Sequence, residues 1–249
     1  MQTDYVLVPD WPAPETIQAL VTTRLGGVSI GGFASLNLGM HVNDELKSVV
    51  QNRQTLADHA GLAESQFAWL DQVHGQTIIA ATAGGQVVPA DGSDTTKNKL
   101  ACVVMTADCL PVLFCDQAGT KVSAVHAGWR GLAGGILQKA VQRFPDPSSV
   151  MAWLGPAISQ AHFEVGNDVY QAFIANHSHN HSAFTPSVAP KKWMADIYQL
   201  ARLQLNVAGV DKIYGGQYCT YADEEHFYSY RRDGEESGRM ASLIWRNAD

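Results

Sequence analysis

The chain has few charged residues, few cysteines and no long uninterrupted apolar run. Of its 249 residues, 16% are charged and 46% are hydrophobic, a balance that excludes intrinsic disorder and leaves a globular enzyme as the broad class. The 17 basic residues are outnumbered by 24 acidic ones, which argues against a nucleic-acid partner. No apolar run could span a bilayer, and the first residues lack the pattern of a secretory signal. We therefore expect a cytoplasmic protein without a membrane partner.

The chain also lacks a proline- or serine-rich linker, so we expect a single domain over residues 1–249. Three of the four cysteines crowd one segment, at Cys102, Cys109 and Cys115. In a reducing compartment such a cluster favours metal or catalytic chemistry over a disulfide.

Apolar runs bounded by glycine, aspartate and proline predict alternating short strands and helices. Strands are predicted at 4–11, 17–23, 77–80, 100–105, 111–115, 121–125, 150–154, 212–214, 227–231 and 240–245, and helices at 43–60, 132–144, 165–176 and 190–207. The segment 105–135 stands out because its polar residues fall where strands end, which is where a rigid sheet usually holds catalytic groups.

His74, Cys109 and His126 each fall at the end of a predicted strand, beside a glycine or a turn. Their spacings of 35 and 17 residues rule out one helix or one knuckle, so only a sheet could bring them together. Two imidazoles and a thiolate suit Zn²⁺, and three protein ligands leave a fourth position for water or substrate. Asp108, adjacent to the cysteine, could act as a general base or orient a ligand histidine.

The same residues allow two other interpretations. Cys109 could be a nucleophile deprotonated by His126 or His74, as in acyl-transfer enzymes. Alternatively, the trio could hold copper with Met105 as a weak axial ligand. Oxidation of phenols needs several copper centres, whereas three of the nine histidines fall in the tract 177–181, which reads as a solvent-exposed loop.

Two segments could bind an anion. Arg24 lies in a glycine-rich stretch, 22–32, where backbone N–H groups and a guanidinium could contact phosphate, although a mobile hairpin tip explains the pattern equally well. Arg130 precedes a predicted helix whose first N–H groups lack intrahelical partners. Asn37, between two apolar residues, could orient a ligand or merely cap a turn.

Eight motifs in order resemble the YfiH family, whose members are also described as laccase-domain or multicopper polyphenol oxidase proteins. They are TTRLGGVS, SLNLG, QVHG, ADGSDT, TADCLPVLFCD, AVHAGWRGLAGG, LGPAI with FEVG, and CT followed by FYSYRRDGEESGR, and they run from about residue 20 to the C-terminus. The resemblance implies a single α/β (α+β) domain of layered mixed sheets flanked by helices. It also implies zinc bound by His74, Cys109 and His126, and places Arg24 on a loop arginine that serves the active site.

The resemblance further implies phosphorolysis of purine nucleosides, namely adenosine, inosine, guanosine and S-methyl-5′-thioadenosine, and deamination of adenosine. Similar proteins have also been linked to editing of peptidoglycan precursors. Our working hypothesis is a zinc enzyme of this kind, with Arg24 and Arg130 holding phosphate and Asp108 or a histidine assisting the departing base. The alternatives are a cysteine hydrolase or amidase acting on cell-wall precursors, a partner-binding protein with structural zinc, and a copper oxidase.

Overall fold

A computed structural model of the chain describes residues 5–84, 87–175 and 177–247. Its strands are β1 (Val6–Leu7), β2 (Ile17–Thr22), β3 (Phe67–Ala68), β4 (Ile78–Ala80), β5 (Gly92–Thr95), β6 (Ala101–Thr106), β7 (Leu110–Asp116), β8 (Val122–Ala127), β9 (Val150–Leu154), β10 (Glu164–Gly166), β11 (Phe184–Pro186), β12 (Lys192–Ala195), β13 (Lys212–Gly215) and β14 (Met240–Arg246). Its α-helices are α1 (Leu46–Ala60), α2 (Trp129–Ala133), α3 (Ile136–Val141), α4 (Asn167–Ile174), α5 (Ile197–Val207) and α6 (Tyr230–Asp233).

The strands form three sheets. One has five strands in the order β1-β2-β14-β6-β3, the second has six in the order β13-β9-β7-β8-β5-β4, and a small third has the order β10-β12-β11. The two larger sheets are mixed, because β3 pairs with β6, β4 with β5 and β9 with β13 in parallel, whereas their other strand pairs are antiparallel. In both of the larger sheets, some neighbouring strands are far apart in sequence, as where β14 lies between β2 and β6.

The central strands are buried on both faces, which explains their continuous apolar sequences. In β7, Val112 and Phe114 face a core shared with helices α2 to α5, whereas Leu113 and Cys115 face the five-stranded sheet. Successive side chains of a strand point to opposite faces, so one run of residues serves two cores.

The five-stranded sheet repeats this arrangement with helix α1 on its outer face. In β6, Cys102 and Val104 pack towards the six-stranded sheet, whereas Ala101 and Val103 pack in the core that includes Leu56 of α1. The layers are therefore helix, sheet, sheet and helices, which confirms the α/β (α+β) class of mixed sheets flanked by helices.

Most predicted elements are present, and two are wrong. The predicted helix 190–207 begins only at Ile197, because β12 pairs on both edges with β10 and β11, and the side chain of Asp196 then caps α5 by accepting from Gln199 N at 2.9 Å. The predicted strand 227–231 is instead irregular chain that leads into α6, whose cap is Ser229.

Other differences concern element bounds. Of the predicted strand 4–11, the described residues form a strand only at Val6–Leu7, and the predicted helix 165–176 begins at Asn167, after β10. The predicted helix 132–144 is interrupted at Gly134 and Gly135, and Gly135 has a φ of 87°, which a non-glycine residue rarely adopts. Asp4 and Asn176, which the sequence assigned to a strand and a helix, lie outside the described residues. Among the described residues, no helix combines the length and apolar character needed to cross a membrane.

Candidate metal centre

The sheet brings His74, Cys109 and His126 together. His126 lies in β8 opposite Pro111 of β7, so Cys109, directly before β7, lies next to it, and His74 comes from the connection between β3 and β4. One ligand atom from each of the three lies within 4.8 Å of the others, and Cys109 Sγ is 4.0 Å from His74 Nε2. His74 is exposed, Cys109 half-buried and His126 buried, so the group lies on the floor of an open depression.

Asp91 connects two members of the trio. Its carboxylate accepts from His126 Nδ1 at 2.8 Å, from His74 N at 2.9 Å and from Gly75 N at 2.6 Å. His74 has a φ of 58°, a left-handed conformation that is unfavourable for histidine, and the two bonds from residues 74 and 75 to the carboxylate hold it there. Asp91 therefore fixes the position of His74 by bonding the backbone of residues 74 and 75. It fixes the tautomer of His126 by bonding the imidazole ring.

Gly128 leaves the space that the trio needs. A Cβ at this position would lie 3.0 Å from His74 Cδ2, 3.2 Å from Cys109 Sγ and 3.3 Å from His126 Cε1. A side chain here would therefore press on all three ligands.

The charges of the trio support one another. Burial opposes ionisation of the Cys109 thiol, but its hydrogen bond to His126, together with the charges and contacts of both histidines, lowers the pKa of Cys109 to about 6. Burial lowers the pKa of His126 as well, but the hydrogen bonds to Asp91 and Cys109 outweigh it and raise that pKa to about 9. In contrast, burial raises the pKa of Cys102 and of Cys115 to about 12, so those thiols stay protonated in the core.

These residues fit a zinc ion. Tetrahedral Zn²⁺ with ordinary bond lengths places a thiolate sulfur and an imidazole nitrogen about 3.5 Å apart, so the observed separations, 4.0 Å between Cys109 Sγ and His74 Nε2 and up to 4.8 Å within the trio, must shorten when a metal binds. Because Asp91 takes up His126 Nδ1, the other ring nitrogen of His126 is the one left for a metal, as is common for metal-binding histidines. The low pKa of Cys109 supplies the thiolate that a metal requires.

A cavity of about 510 Å³ opens over the trio. Its other polar lining residues are His41, Gln72, Thr106, Asp108, Tyr230, Arg231 and Arg239, and its apolar lining residues are Met105, Ala107, Trp129, Ile158 and Phe163. Gln72 bonds both backbone groups of Met105, at 2.7 and 2.8 Å, and so fixes the end of β6. Burial and the nearby charges of Arg239 and Arg53 lower the pKa of His41, so its imidazole is neutral near pH 7.

Asp108 lies in the cavity wall, but its carboxylate is directed at the C-terminal part of the chain. It accepts from Thr220 Oγ1 at 2.6 Å, Ser229 Oγ at 3.0 Å and Arg231 N at 2.7 Å. The carboxylate that bonds a histidine of the trio is that of Asp91, not that of Asp108. The role of Asp108 as a general base stays a prediction.

Three other predicted binding residues do not line this cavity. Arg24 lies in a separate open cleft, where its guanidinium bonds Ala34 O and Glu224 O. Asn37 is fully buried, and Arg130 is exposed, 4.3 Å from the ring of Trp129. Their predicted contacts with phosphate or nucleoside stay predictions.

Sequence reasoning missed Gln72, Arg231 and Arg239 as cavity residues. Each belongs to a motif on which the family resemblance rests, QVHG or FYSYRRDGEESGR, and that membership was the available signal. The tract 177–181 was predicted to be an exposed loop, and this is right only in part: His179 and His181 are exposed, but Ser178–Ala183 form a 3-10 helix in which Asn180 is fully buried. The trio is the one group of at least three metal-ligand side chains among the described residues.

Comparison with known proteins shows which family the chain matches. The model of a family described as multi-copper polyphenol oxidoreductase laccase matches residues 18–247. The purine nucleoside phosphorylase PA4543 of Pseudomonas aeruginosa is 50% identical over 240 residues, which is 96% of this chain and 97% of that protein. The purine nucleoside phosphorylase YfiH of Escherichia coli is 48% identical over 242 residues, which is 96% and 98% of the two chains.

A solved structure extends the likeness to the fold. The crystal structure of protein NMB0706 from Neisseria meningitidis superposes with a TM-score of 0.93 at 49% identity, covering 98% of this chain and all of the other. Together with the relative named YfiH, this confirms the resemblance drawn from the eight motifs.

Proposed function

The chain belongs to the family described as multi-copper polyphenol oxidoreductase laccase, and we propose that it is a zinc-dependent purine nucleoside phosphorylase that also deaminates adenosine. The observation that carries the proposal is the His74–Cys109–His126 trio on the floor of a nucleoside-sized cavity, in a chain whose relatives at about half identity are named purine nucleoside phosphorylases. Cavities of 300–1,000 Å³ are typical of small-molecule sites, and about 510 Å³ falls within that range.

In phosphorolysis, a phosphate oxygen forms a bond to C1′ of the ribose while the bond from C1′ to the purine nitrogen breaks. The bonding electrons leave with the base, which takes up a proton, and the products are the free base and the sugar 1-phosphate, which is ribose 1-phosphate for an ordinary ribonucleoside. In deamination, water adds at the carbon bearing the amino group and ammonia departs. The predicted substrates are adenosine, inosine, guanosine and S-methyl-5′-thioadenosine.

The cavity offers residues that could contact a nucleoside. Trp129, Ile158 and Phe163 provide apolar surface for the purine faces, and His41 offers a hydrogen bond. Zinc, when bound by the trio, would supply Lewis acidity that brings the pKa of water towards neutrality. Asp91 holds the imidazole of His126 in the tautomer that such binding needs.

The test is to incubate the purified, zinc-loaded protein with adenosine, with and without phosphate, and to separate the products. We expect adenine and ribose 1-phosphate only with phosphate, and inosine in both mixtures. A His74→Ala variant should lose bound zinc by elemental analysis together with both activities. Absence of all products from a protein with one equivalent of zinc would overturn the proposal.

A second candidate is a cysteine hydrolase acting on an amide of cell-wall precursors. It is favoured by the chain of contacts from Asp91 to His126 to Cys109, together with the low pKa of the thiol, which is the arrangement of an activated nucleophile. Turnover of an amide by metal-free protein, abolished by alkylation of Cys109, would favour it over the zinc enzyme.

Copper oxidase chemistry has the least support, despite the family's description. Oxidation of phenols by oxygen requires several copper centres, and the described residues contain one group of three suitable ligands. Oxygen uptake with a phenol, measured after loosely bound copper is removed, tests it directly.

A further inference from the structure

Arg239 lines the cavity over the trio, although no predicted role was assigned to it. It directly precedes β14, whose first residue Met240 pairs with Thr106 at the end of β6. The chain that leaves β6 contains Cys109, so Arg239 and Cys109 reach the same cavity from two strand ends that are neighbours in the sheet.

The motif SLNLG shapes the surroundings of Arg239. Asn37 Oδ1 accepts from Arg239 N at 2.9 Å, and Leu38 N donates to Arg239 O at 3.1 Å. A Cβ on Gly39 would lie 2.8 Å from Arg239 Cγ, so glycine at this position leaves room for the arginine side chain. Asn37 therefore acts on Arg239 as a positioning residue.

The guanidinium of Arg239 is only partly used by the protein. Nη1 donates to Ser237 O at 2.7 Å and to Gly238 O at 3.0 Å, and within 5–84, 87–175 and 177–247 no acceptor contacts Nε or Nη2 and no carboxylate forms an ion pair with this side chain. Asp108, the carboxylate in the cavity lining, already accepts three bonds from other residues.

Arg239 is half-buried, and although the charges of Cys109 and Asp108 act on it, no carboxylate among the described residues forms an ion pair with its guanidinium, so a bound anion would add a favourable charge contact. Arg231 adds a second guanidinium to the same lining, with its Nη1 held at 3.0 Å from Glu164 O. A planar guanidinium with free donors matches two oxygens of a phosphate group.

We propose that Arg239, with Arg231 beside it in the cavity lining, is the phosphate-binding subsite over the trio, and that Asn37 and Gly39 position Arg239 for this task. The inference rests on the proposed function in taking inorganic phosphate as the anion. It differs from the sequence-based expectation, which gave phosphate to Arg24 and Arg130.

The test measures inorganic phosphate binding to the full chain by calorimetry, with and without added zinc, because phosphate can also bind a metal. Arg239→Gln should raise the Kd for phosphate about ten- to a hundredfold, as expected for a lost charge-assisted contact. Arg239→Lys keeps the charge but loses the planar pair of donors, and its Kd for phosphate should lie between those of the native protein and Arg239→Gln. Lys192→Gln removes one positive charge from an exposed strand position and is the matched control.

Gly39→Ala tests the positioning without removing a charge. Its added Cβ must displace the arginine side chain, so the Kd for phosphate should rise while zinc content stays unchanged. In turnover, Arg239→Gln should raise the KM for phosphate much more than the KM for nucleoside.

The possible outcomes separate this inference from the proposed function. Weaker phosphate binding in Arg239→Gln supports the subsite even if no nucleoside is cleaved. Unchanged phosphate binding in Arg239→Gln, or a loss seen only in Arg24→Gln, overturns the subsite even if the enzyme is an active phosphorylase.

Discussion

Two buried aspartates next to the trio stabilise different sides of the cavity. Asp91 accepts from His126, from the backbone of His74 and from Gly75, and therefore fixes the metal-binding side of the cavity. Asp108 accepts from Thr220, Ser229 and the backbone of Arg231, and therefore fixes the wall contributed by the C-terminal part of the chain. Nearness in sequence does not reveal which carboxylate serves which side.

The difference follows from the sheet order. β5 begins directly after Asp91 and pairs antiparallel with β8, so His126 N bonds Asp91 O at 2.7 Å and the two side chains meet. Asp108 lies in the turn between β6 and β7 with a φ of 88°, and its carboxylate bonds chain that is more than a hundred residues away. Asp91, which lies beside His126 across the sheet, thus supports the metal ligands. Asp108, which is next to Cys109 in sequence, holds a segment that is remote in sequence.

The largest effect should come from Asp91→Asn. It removes the charged partner of a buried histidine and turns an amide N–H₂ group towards at least one N–H donor. We expect zinc affinity to fall about 10–100-fold and the free energy of unfolding of the metal-free protein to fall by about 3–5 kcal/mol. Competition with a chelator and denaturant titration measure the two quantities.

Native zinc affinity in folded Asp91→Asn would show that the carboxylate does not orient the ligands. Asp91→Glu is the matched control, because it keeps the charge but changes the reach, and it should retain more stability than the asparagine variant.

Asp108→Asn should give a smaller effect of a different kind. It weakens bonds to two hydroxyl groups and one backbone N–H, so the free energy of unfolding should fall by about 1.5–3 kcal/mol. Zinc affinity should stay within about threefold of the native value, because the trio keeps Asp91. The KM for phosphate should rise, since the wall that carries Arg231 is loosened. A loss of zinc as large as that of Asp91→Asn would break the distinction between the two aspartates.

Much of the fold was predictable because β6, β7 and β8 are buried on both faces and leave continuous apolar runs. The trio followed from polar residues at the ends of such runs. The contact between Asp91 and His126 was not predictable, because it depends on β5 lying beside β8, and sequence spacing does not give strand order.

Arg239 shows the same limit. Its place in the cavity depends on β14, the last strand, lying between β2 and β6. The strand at Lys192–Ala195 was missed for a related reason, because its pairing with β10 and β11 overrides the helical periodicity that continues into α5. Local pattern gave the elements, whereas long-range pairing decided which side chains meet.

The reactivity of the cysteines gives a pH-dependent test of the Asp91 side. In metal-free protein, alkylation of Cys109 should rise with pH and level off above about pH 6, because a lowered pKa means that the thiolate is present above that pH. Cys102 and Cys115 should stay unmodified in the native state, since burial raises the pKa of each to about 12. Mass spectrometry of each cysteine-containing peptide measures the rates.

The two aspartate variants should separate in the same assay. Asp91→Asn should move the midpoint for Cys109 to higher pH, because His126 loses the partner that raises its pKa and so stabilises the thiolate less. Asp108→Asn should leave the midpoint in place. A native midpoint near the ordinary thiol value of 9.0 would contradict the proposed support from the histidines.

The smallest effect should come from His179→Ala, in the exposed tract. His179 stacks on His177 with ring centroids 5.2 Å apart, but the described residues supply no third ligand to this pair. Two histidines without a third ligand or an orienting carboxylate bind metal weakly, so the zinc content after dialysis should not change. The free energy of unfolding should change by less than about 0.5 kcal/mol, as for most exposed positions. A fall from two equivalents of zinc to one would show that histidines away from the trio bind metal without the support that Asp91 gives His126.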